Sequence, residues 1–265
     1  MSDRNGLAIE TLEYVSRSQN RVRILETLSA EGAVSRESLM AETGVVRTTL
    51  QRNLIGLAER GLIRERDQRY ELTSAGSLAA AGLSTALERI GAAVRLRPVL
   101  ERLPADALGF DPNRLADAAV VESTPANPYG PVERHVAALP GVEHARLALP
   151  ATGANQLEQS RRAIDSGAVF EVVVTEGVAE TVRTDPLVSD SFAAIADTDS
   201  MTVSVAEDGI SFYLGILDET VQIAVYDENG VPTALLESTD ERVREWAVDR
   251  FDTLERRSEP IEVAE

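Results

Sequence analysis

The sequence predicts an α+β chain in two parts. An N-terminal block of short helices ends in a hairpin, a connecting helix follows, and a C-terminal α/β block carries a mixed sheet. Three observations predict it. Helical stripes fill the first sixty residues and then give way to two short alternating runs. Strand-like and helix-like segments alternate from about residue 119 onward. The charge is split along the chain: residues 1–75 hold 11 Arg and 11 acids, whereas residues 76–265 hold 15 Arg and 33 acids, the whole of the net −18.

The elements follow in order. Ile9, Leu12 and Val15 mark a helix over Leu7 to Arg17. Asn20 is placed to cap a second helix, with Val22, Leu25 and Leu28 on its inner face. Ser35 caps a third, Arg36 to Thr43, which Gly44 ends in a left-handed conformation. A fourth, Val46 to Arg60, carries Val46, Leu50, Leu54 and Leu57 as its stripe; Ile55 lies off the stripe, toward a neighbouring helix. Residues 62–66 and 69–73 alternate around Asp67-Gln68; lacking Asn-Gly or Asp-Gly, that turn leaves a longer loop open. Ser74 to Leu103 reads as a long Ala- and Leu-rich helix, broken near Gly82 and ending around Pro98. A dimer seam along it, or packing on its own domain, are both open.

In the C-terminal block, strands are expected at 119–121, 146–149, 168–175, 201–205, 212–217, 221–226 and 234–237, and helices at 130–139, 153–166 and 176–196, the last interrupted near Pro186. Val172-Val173-Val174 reads as a strand buried on both faces. Thr239 or Asp240 caps a last helix with Val243, Trp246, Ala247, Phe251 and Leu254 inside. The domain reading is 1–75, a connecting helix 76–102, 103–258, and a disordered tail 259–265.

Composition excludes several functions. All 26 basic residues are Arg, so there is no Lys for a P-loop, a Schiff base or a His-x-Lys motif. No Cys removes disulfides and thiol chemistry and suits a reducing cytoplasm. No Gly-x-Ser-x-Gly elbow occurs, and His135 and His144 match no compact metal pattern, so they read as structural or surface residues. Acid pairs Asp197/Asp199, Glu207/Asp208 and Asp227/Glu228 read as solvated turns, with cation binding the alternative. Neither a signal peptide nor an eighteen-residue apolar run is present. The expectation is a non-enzyme with no cofactor, no metal and no membrane span. The acid-rich, all-Arg composition also suits an extreme halophile, although high-GC codon bias favours Arg too.

The head presents the chemistry of a nucleic-acid reader. Arg47 and Arg52 can grip guanine edges or phosphates, and Gln51 can pair with adenine. Thr48 and Thr49 can donate to phosphate near the helix N-terminus. Arg64, Arg66 and Arg69 suit phosphate contacts from the hairpin. Residues 41–50, Ala-Glu-Thr-Gly-Val-Val-Arg-Thr-Thr-Leu, and 57–63, Leu-Ala-Glu-Arg-Gly-Leu-Ile, resemble the winged helix-turn-helix of archaeal and bacterial regulators. That resemblance implies a fourth helix in the major groove and a wing across the backbone.

The remainder resembles the middle domain named after an archaeal methanogenesis regulator. It does so at Leu103-Pro104, Leu108-Gly109-Phe110, Thr124-Pro125, Pro128-Tyr129, Tyr213-Leu214-Gly215-Ile216, Pro232, Ala234-Leu235-Leu236-Glu237 and Trp246-Ala247. The resemblance implies a sensor-like domain and a dimeric, double-stranded-DNA-binding transcription regulator that responds to an effector, small molecule or protein. If a ligand pocket exists, Thr124, Tyr129 and Tyr213 are its candidates; the alternative has them bracing a loop and the sheet. Two other functions compete: a transcription-apparatus interaction module, and a hydrolase-like C-terminal domain.

Overall fold

The structure is a computed structural model that describes residues 2–186, 188, 189, 192 and 200–261. The chain divides into two compact units, residues 1–90 and 91–265.

The first unit holds helices α1 (Ser2–Ser16), α2 (Gln19–Glu31), α3 (Arg36–Thr43) and α4 (Arg47–Glu59), strands β1 (Val34–Ser35), β2 (Ile63–Arg66) and β3 (Arg69–Leu72), and the start of α5 (Ser74–Leu100). The strands form an antiparallel sheet in the order β1-β3-β2. Val15, Ile24, Leu25, Leu28, Leu39, Leu50, Leu54, Leu57, Ile63, Tyr70 and Leu83 make its core. Ser35 caps α3 by accepting from the Ser38 N–H, and Gly44 ends it at φ +66.

The predicted elements need four adjustments here. The N-cap of α2 is Ser18, with Asn20 inside the helix, because the chain already turns at Ser18 in extended conformation. Val46 is exposed: it precedes the first turn of α4, so helical periodicity does not carry it inward. The hairpin closes in two residues, Asp67 (φ +50) and Gln68 (φ +61), a mirror-image turn made without glycine. Finally, α5 runs unbroken through Gly82, and Pro98 sits in its last turn.

The second unit is an eight-stranded mixed sheet among the described residues, in the order β11-β7-β6-β5-β8-β9-β10-β4. The strands are β4 (Ala119–Glu122), β5 (His144–Leu149), β6 (Val169–Val174), β7 (Met201–Ala206), β8 (Tyr213–Leu217), β9 (Thr220–Tyr226), β10 (Pro232–Ser238) and β11 (Ser258–Pro260). β5, β6 and β7 run parallel; the other pairings are antiparallel. Strand alternation feeds two cores. Leu147, Leu149, Phe170, Val172 and Val174 pack with α6 (Gly130–Ala138), α7 (Ala154–Asp165) and α8 (Glu176–Thr184) on one face. Ala148, Val173, Leu214, Ile216 and Ile223 pack on the other with the end of α5 and α9 (Glu241–Glu255), through Leu96, Val99, Val243, Ala247 and Phe251. A sheet covered on both faces is what the Val172-Val173-Val174 run predicts. Asp240 caps α9 by accepting from the N–H groups of Arg242 and Val243.

The tail expected from residue 259 is corrected at its start. Ser258–Pro260 pair with β7 as an edge strand, a position that tolerates Pro260. The helix expected over 176–196 with an interruption near Pro186 stops at Thr184, just before that proline; most of its further course and the whole Asp197/Asp199 pair lie outside the described residues.

Candidate nucleic-acid interface

Burial of Leu50, Leu54 and Leu57 fixes which side of α4 faces out. Arg47, Thr48 and Arg52 are exposed there, with Thr49 and Gln51 half-buried beside them. Among the described residues, neither Arg47 nor Arg52 has an ion pair or side-chain hydrogen bond, so their guanidinium donors are uncommitted. Ile55 is exposed too, on the side of Thr48, Gln51 and Arg52, at i+7, i+4 and i+3 from them. Its sequence position off the stripe points it toward a neighbouring helix, which the structure does not bear out. An apolar side chain there is suited to a thymine methyl, and its distance from the Leu50/Leu54/Leu57 stripe was the available signal.

The wing's arginines differ in what they are free to do. Arg64 donates to Glu71 across the hairpin at 2.6 Å. Arg69 donates from Nη2 and Nε to the Ala33 carbonyl at 2.6 and 3.1 Å, which ties the wing to the loop before β1. Arg66 at the tip has only an exposed Asp67 carboxylate at 3.8 Å. Arg47, Arg36, Gln68 and Arg69 line one concave surface of about 630 Å³, shared with the acids Glu37, Glu65 and Asp67. Arg36 is held by the Tyr70 hydroxyl at 2.7 Å, and that hydrogen bond raises the guanidinium's pKa.

Behind α4, Tyr14 is clasped between two guanidinium groups, Arg21 at 3.7 Å and Arg60 at 3.5 Å from its ring centre. Arg21 also donates to the Tyr14 carbonyl and, at 3.3 Å, to Oδ1 of buried Asn53. Gly56 makes room: a Cβ there would lie 1.9 Å from the Tyr14 hydroxyl.

The three ligand candidates are not brought together. Thr124 is exposed, its Oγ1 accepting from the Asn127 N–H in a tight turn, and Tyr129 is exposed at the start of α6. Tyr213 alone is buried, in a cavity of the second unit that neither of the others lines. The loop sequence Thr-Pro-Ala-Asn-Pro-Tyr explains the difference, since its hydroxyl and prolines are spent on local turns. Asp227 likewise serves its turn: the Val231 N–H, then that of Asn229, lower its pKa. Among the described residues no group of His, Asp and Glu is arranged to hold a metal ion, and no helix is long and apolar enough to cross a membrane.

Two family models match the chain. Residues 9–95 match the HVO_A0261 N-terminal domain, and residues 128–257 match the middle domain of the methanogenesis regulatory protein FilR1. No curated protein matches. Among solved structures, TrmBL2, an archaeal chromatin protein, is 15% identical over 91% of this chain and 92% of that one, with a TM-score of 0.42. NucT from Helicobacter pylori is 10% identical over 54% and 98%, with a TM-score of 0.43. Nuc from Salmonella typhimurium, a phospholipase D family member, is 12% identical over 56% and 99%, with a TM-score of 0.42. Likeness at that level carries no functional argument; the two domain matches show an HVO_A0261-type N-terminal domain followed by a methanogenesis-regulator-type middle domain.

Proposed function

We propose that the chain is a sequence-specific transcription regulator whose α4 reads the major groove of an operator while the β2–β3 wing rests on the backbone. The outward face of α4, with Arg47 and Arg52 uncommitted, is the observation that carries this reading. Arg47, Arg52 and Gln51 are the base-reading candidates; Thr48, Thr49 and Arg66 suit phosphates. Arg64 and Arg69, engaged by Glu71 and the Ala33 carbonyl, hold the wing in shape.

The working form is a homodimer, which matches a two-fold operator. Its support is apolar surface that one chain leaves open. Leu7, Leu12, Val15, Ala79, Gly82 and Leu83 line a groove of about 550 Å³ between α1 and α5, and α5 exposes Leu78, Leu87, Ile90 and Val94. The second unit senses a signal, biasing dimer arrangements that differ in half-site spacing; any effector must bind those arrangements unequally. The protein acts in the cytoplasm, and catalysis is no part of this function.

A mobility-shift titration in molar KCl tests it, with the chain's own upstream region against a shuffled duplex of equal length. Tighter binding to the upstream region, weakened by Arg52→Ala, is expected. Equal affinity for both duplexes refutes sequence-specific reading.

A further inference from the structure

The second unit contains a cavity of about 300 Å³ that no part of the DNA-reading function uses. It lies where α6, the end of β5, the start of α7 and strands β8, β9 and β10 meet. Leu149, Ala151, Ala224, Leu235, Pro131 and Val132 give it apolar walls, and among the described residues no charged side chain lines it. His135, Tyr213 and Leu235 are buried at its floor, while Asn155 and Gly230 are exposed at its rim.

A row of polar groups is built behind that floor. Gly215, Gln222 and Glu237 are direct cross-strand neighbours on β8, β9 and β10. Glu237 accepts from Arg134 Nε at 2.6 Å and from Gln222 Nε2 at 2.8 Å. That fixes the Gln222 amide, so its Oε1 faces the His135 Nδ1 at 2.8 Å. An oxygen at that place requires Nδ1 to carry the proton. The Tyr213 hydroxyl lies 3.0 Å from Nδ1 and donates to the same Oε1 at 3.3 Å. Its ring folds over Gly215, where a Cβ would sit 2.0 Å from the hydroxyl. Burial lowers the imidazole's pKa, against smaller opposing effects of the Gln222 hydrogen bond and Glu237.

With Nδ1 protonated, Nε2 of His135 is a lone-pair acceptor. Among the described residues it has no hydrogen-bond partner, although it is buried, and the same holds for Thr152 Oγ1, another lining group. Two buried, unmet polar atoms in one apolar cavity cost free energy that a ligand can return. We propose that this cavity is a binding site for a small, uncharged, mainly apolar molecule whose single hydrogen-bond donor meets His135 Nε2 and whose oxygen accepts from Thr152. Among the described residues the lining is uncharged, which argues against phosphates and carboxylates, and the volume, equal to roughly ten waters at ~30 Å³ each, sets the size. Its use as an effector site rests on the regulator reading; the binding itself does not.

The test is nitrogen-15 NMR of the full-length chain labelled at histidine, where His135 and His144 are the only signals. Phenol is the probe, since it has an apolar body and one donor; toluene and benzoate are the controls. The expected result is an unprotonated Nε2 on His135 that shifts saturably with millimolar phenol while His144 stays still. Toluene should leave Nε2 in place, benzoate should not compete, and Thr152→Val should weaken phenol binding by roughly threefold to tenfold. Ala151→Leu, which fills the cavity from its loop, should abolish the shift. A protonated Nε2, no saturable shift, or equal responses to phenol and toluene would overturn the site. A separate mobility shift with and without phenol tests the link to DNA, so a phenol-bound protein with unchanged operator affinity removes the sensor role and leaves the site standing.

Discussion

Three glycine-to-alanine changes in the first unit should order themselves by what the new methyl meets. In each, alanine relieves a helical glycine, a gain of about 0.5–1 kcal/mol. At Gly82 of α5 nothing lies within 4 Å of the new Cβ, so Gly82→Ala should gain that amount outright. At Gly56 of α4 the Cβ would lie 1.9 Å from the Tyr14 hydroxyl, and Tyr14 cannot swing away freely because Arg21 and Arg60 stack on its two sides. Overpacking costs about 1–3 kcal/mol, and weakening two cation–π contacts about 0.5–1 kcal/mol each. Gly56→Ala should therefore lose about 1–4 kcal/mol net of the helix gain. At Gly76 the Cβ would lie 1.7 Å from the Leu62 carbonyl oxygen, where no rotamer brings relief, so Gly76→Ala should lose about 3 kcal/mol or more. Native-state hydrogen exchange of the α4 amides in the full-length chain reads the first unit's stability. It should be run at two protein concentrations, because Gly82 borders the proposed dimer groove. If Gly56→Ala stabilises as much as Gly82→Ala, the two guanidinium groups do not hold Tyr14 in place.

Other changes probe the wing, the reading helix and the buried histidine. Gln68→Gly should stabilise the first unit by about 1 kcal/mol in urea unfolding, because Gln68 sits at φ +61 where glycine is free of strain; a loss would mean that the Gln68 side chain matters to the hairpin. Arg52→Ala should weaken operator binding by about 1–3 kcal/mol if it contacts a base, with a smaller effect on a shuffled duplex, as mobility shifts will show. Burial lowers the His135 pKa below its ordinary value of about 6.5. The unfolded chain then binds a proton that the folded one refuses, so His135's contribution to stability is present above about pH 6.5 and is lost as pH falls toward the folded value. Urea unfolding of the second unit, followed by Trp246 fluorescence, should be less pH-sensitive across that window in His135→Gln.

The sequence was most readable where local chemistry decides structure. Ser35 and Gly44 bracket α3 as their side-chain chemistry dictates, and the Val172-Val173-Val174 run sits between two cores because strand alternation reaches both. It was least readable where distant residues choose between local options. Nothing near Arg69 reveals that its guanidinium is taken by the Ala33 carbonyl, 36 residues away in sequence. Gly215 looks like a weak strand residue until Tyr213 folds over it. His135 reads as an ordinary core histidine because its meaning depends on Gln222 and Glu237, 87 and 102 positions later, which set its tautomer. The sequence singles out Tyr213 as a ligand candidate, but its partners lie on strands and a helix whose register the sequence does not state.

The internal partners of Arg64 and Arg69 bear on what salt should do. A head with five arginines on its reading surface, each neutralising one phosphate, would lose affinity with a slope of log K on log [salt] near about −4.5 per protomer. The structure engages Arg64 with Glu71 and Arg69 with a carbonyl, which leaves Arg47, Arg52 and Arg66. Even if all three grip phosphates the slope is about −2.7 per protomer, and each one that reads a base instead makes it shallower. Such a surface suits an acid-rich chain, because little counterion release means little loss in concentrated salt. Affinity must then come from directed hydrogen bonds, and the Tyr14 clasp and the Arg69 tether hold α4 and the wing where those bonds are made. Binding measured from 0.5 M KCl upward decides it. A slope steeper than about −3 per protomer would mean that Arg64 and Arg69 abandon their internal partners for DNA, and that the wing is rebuilt on binding.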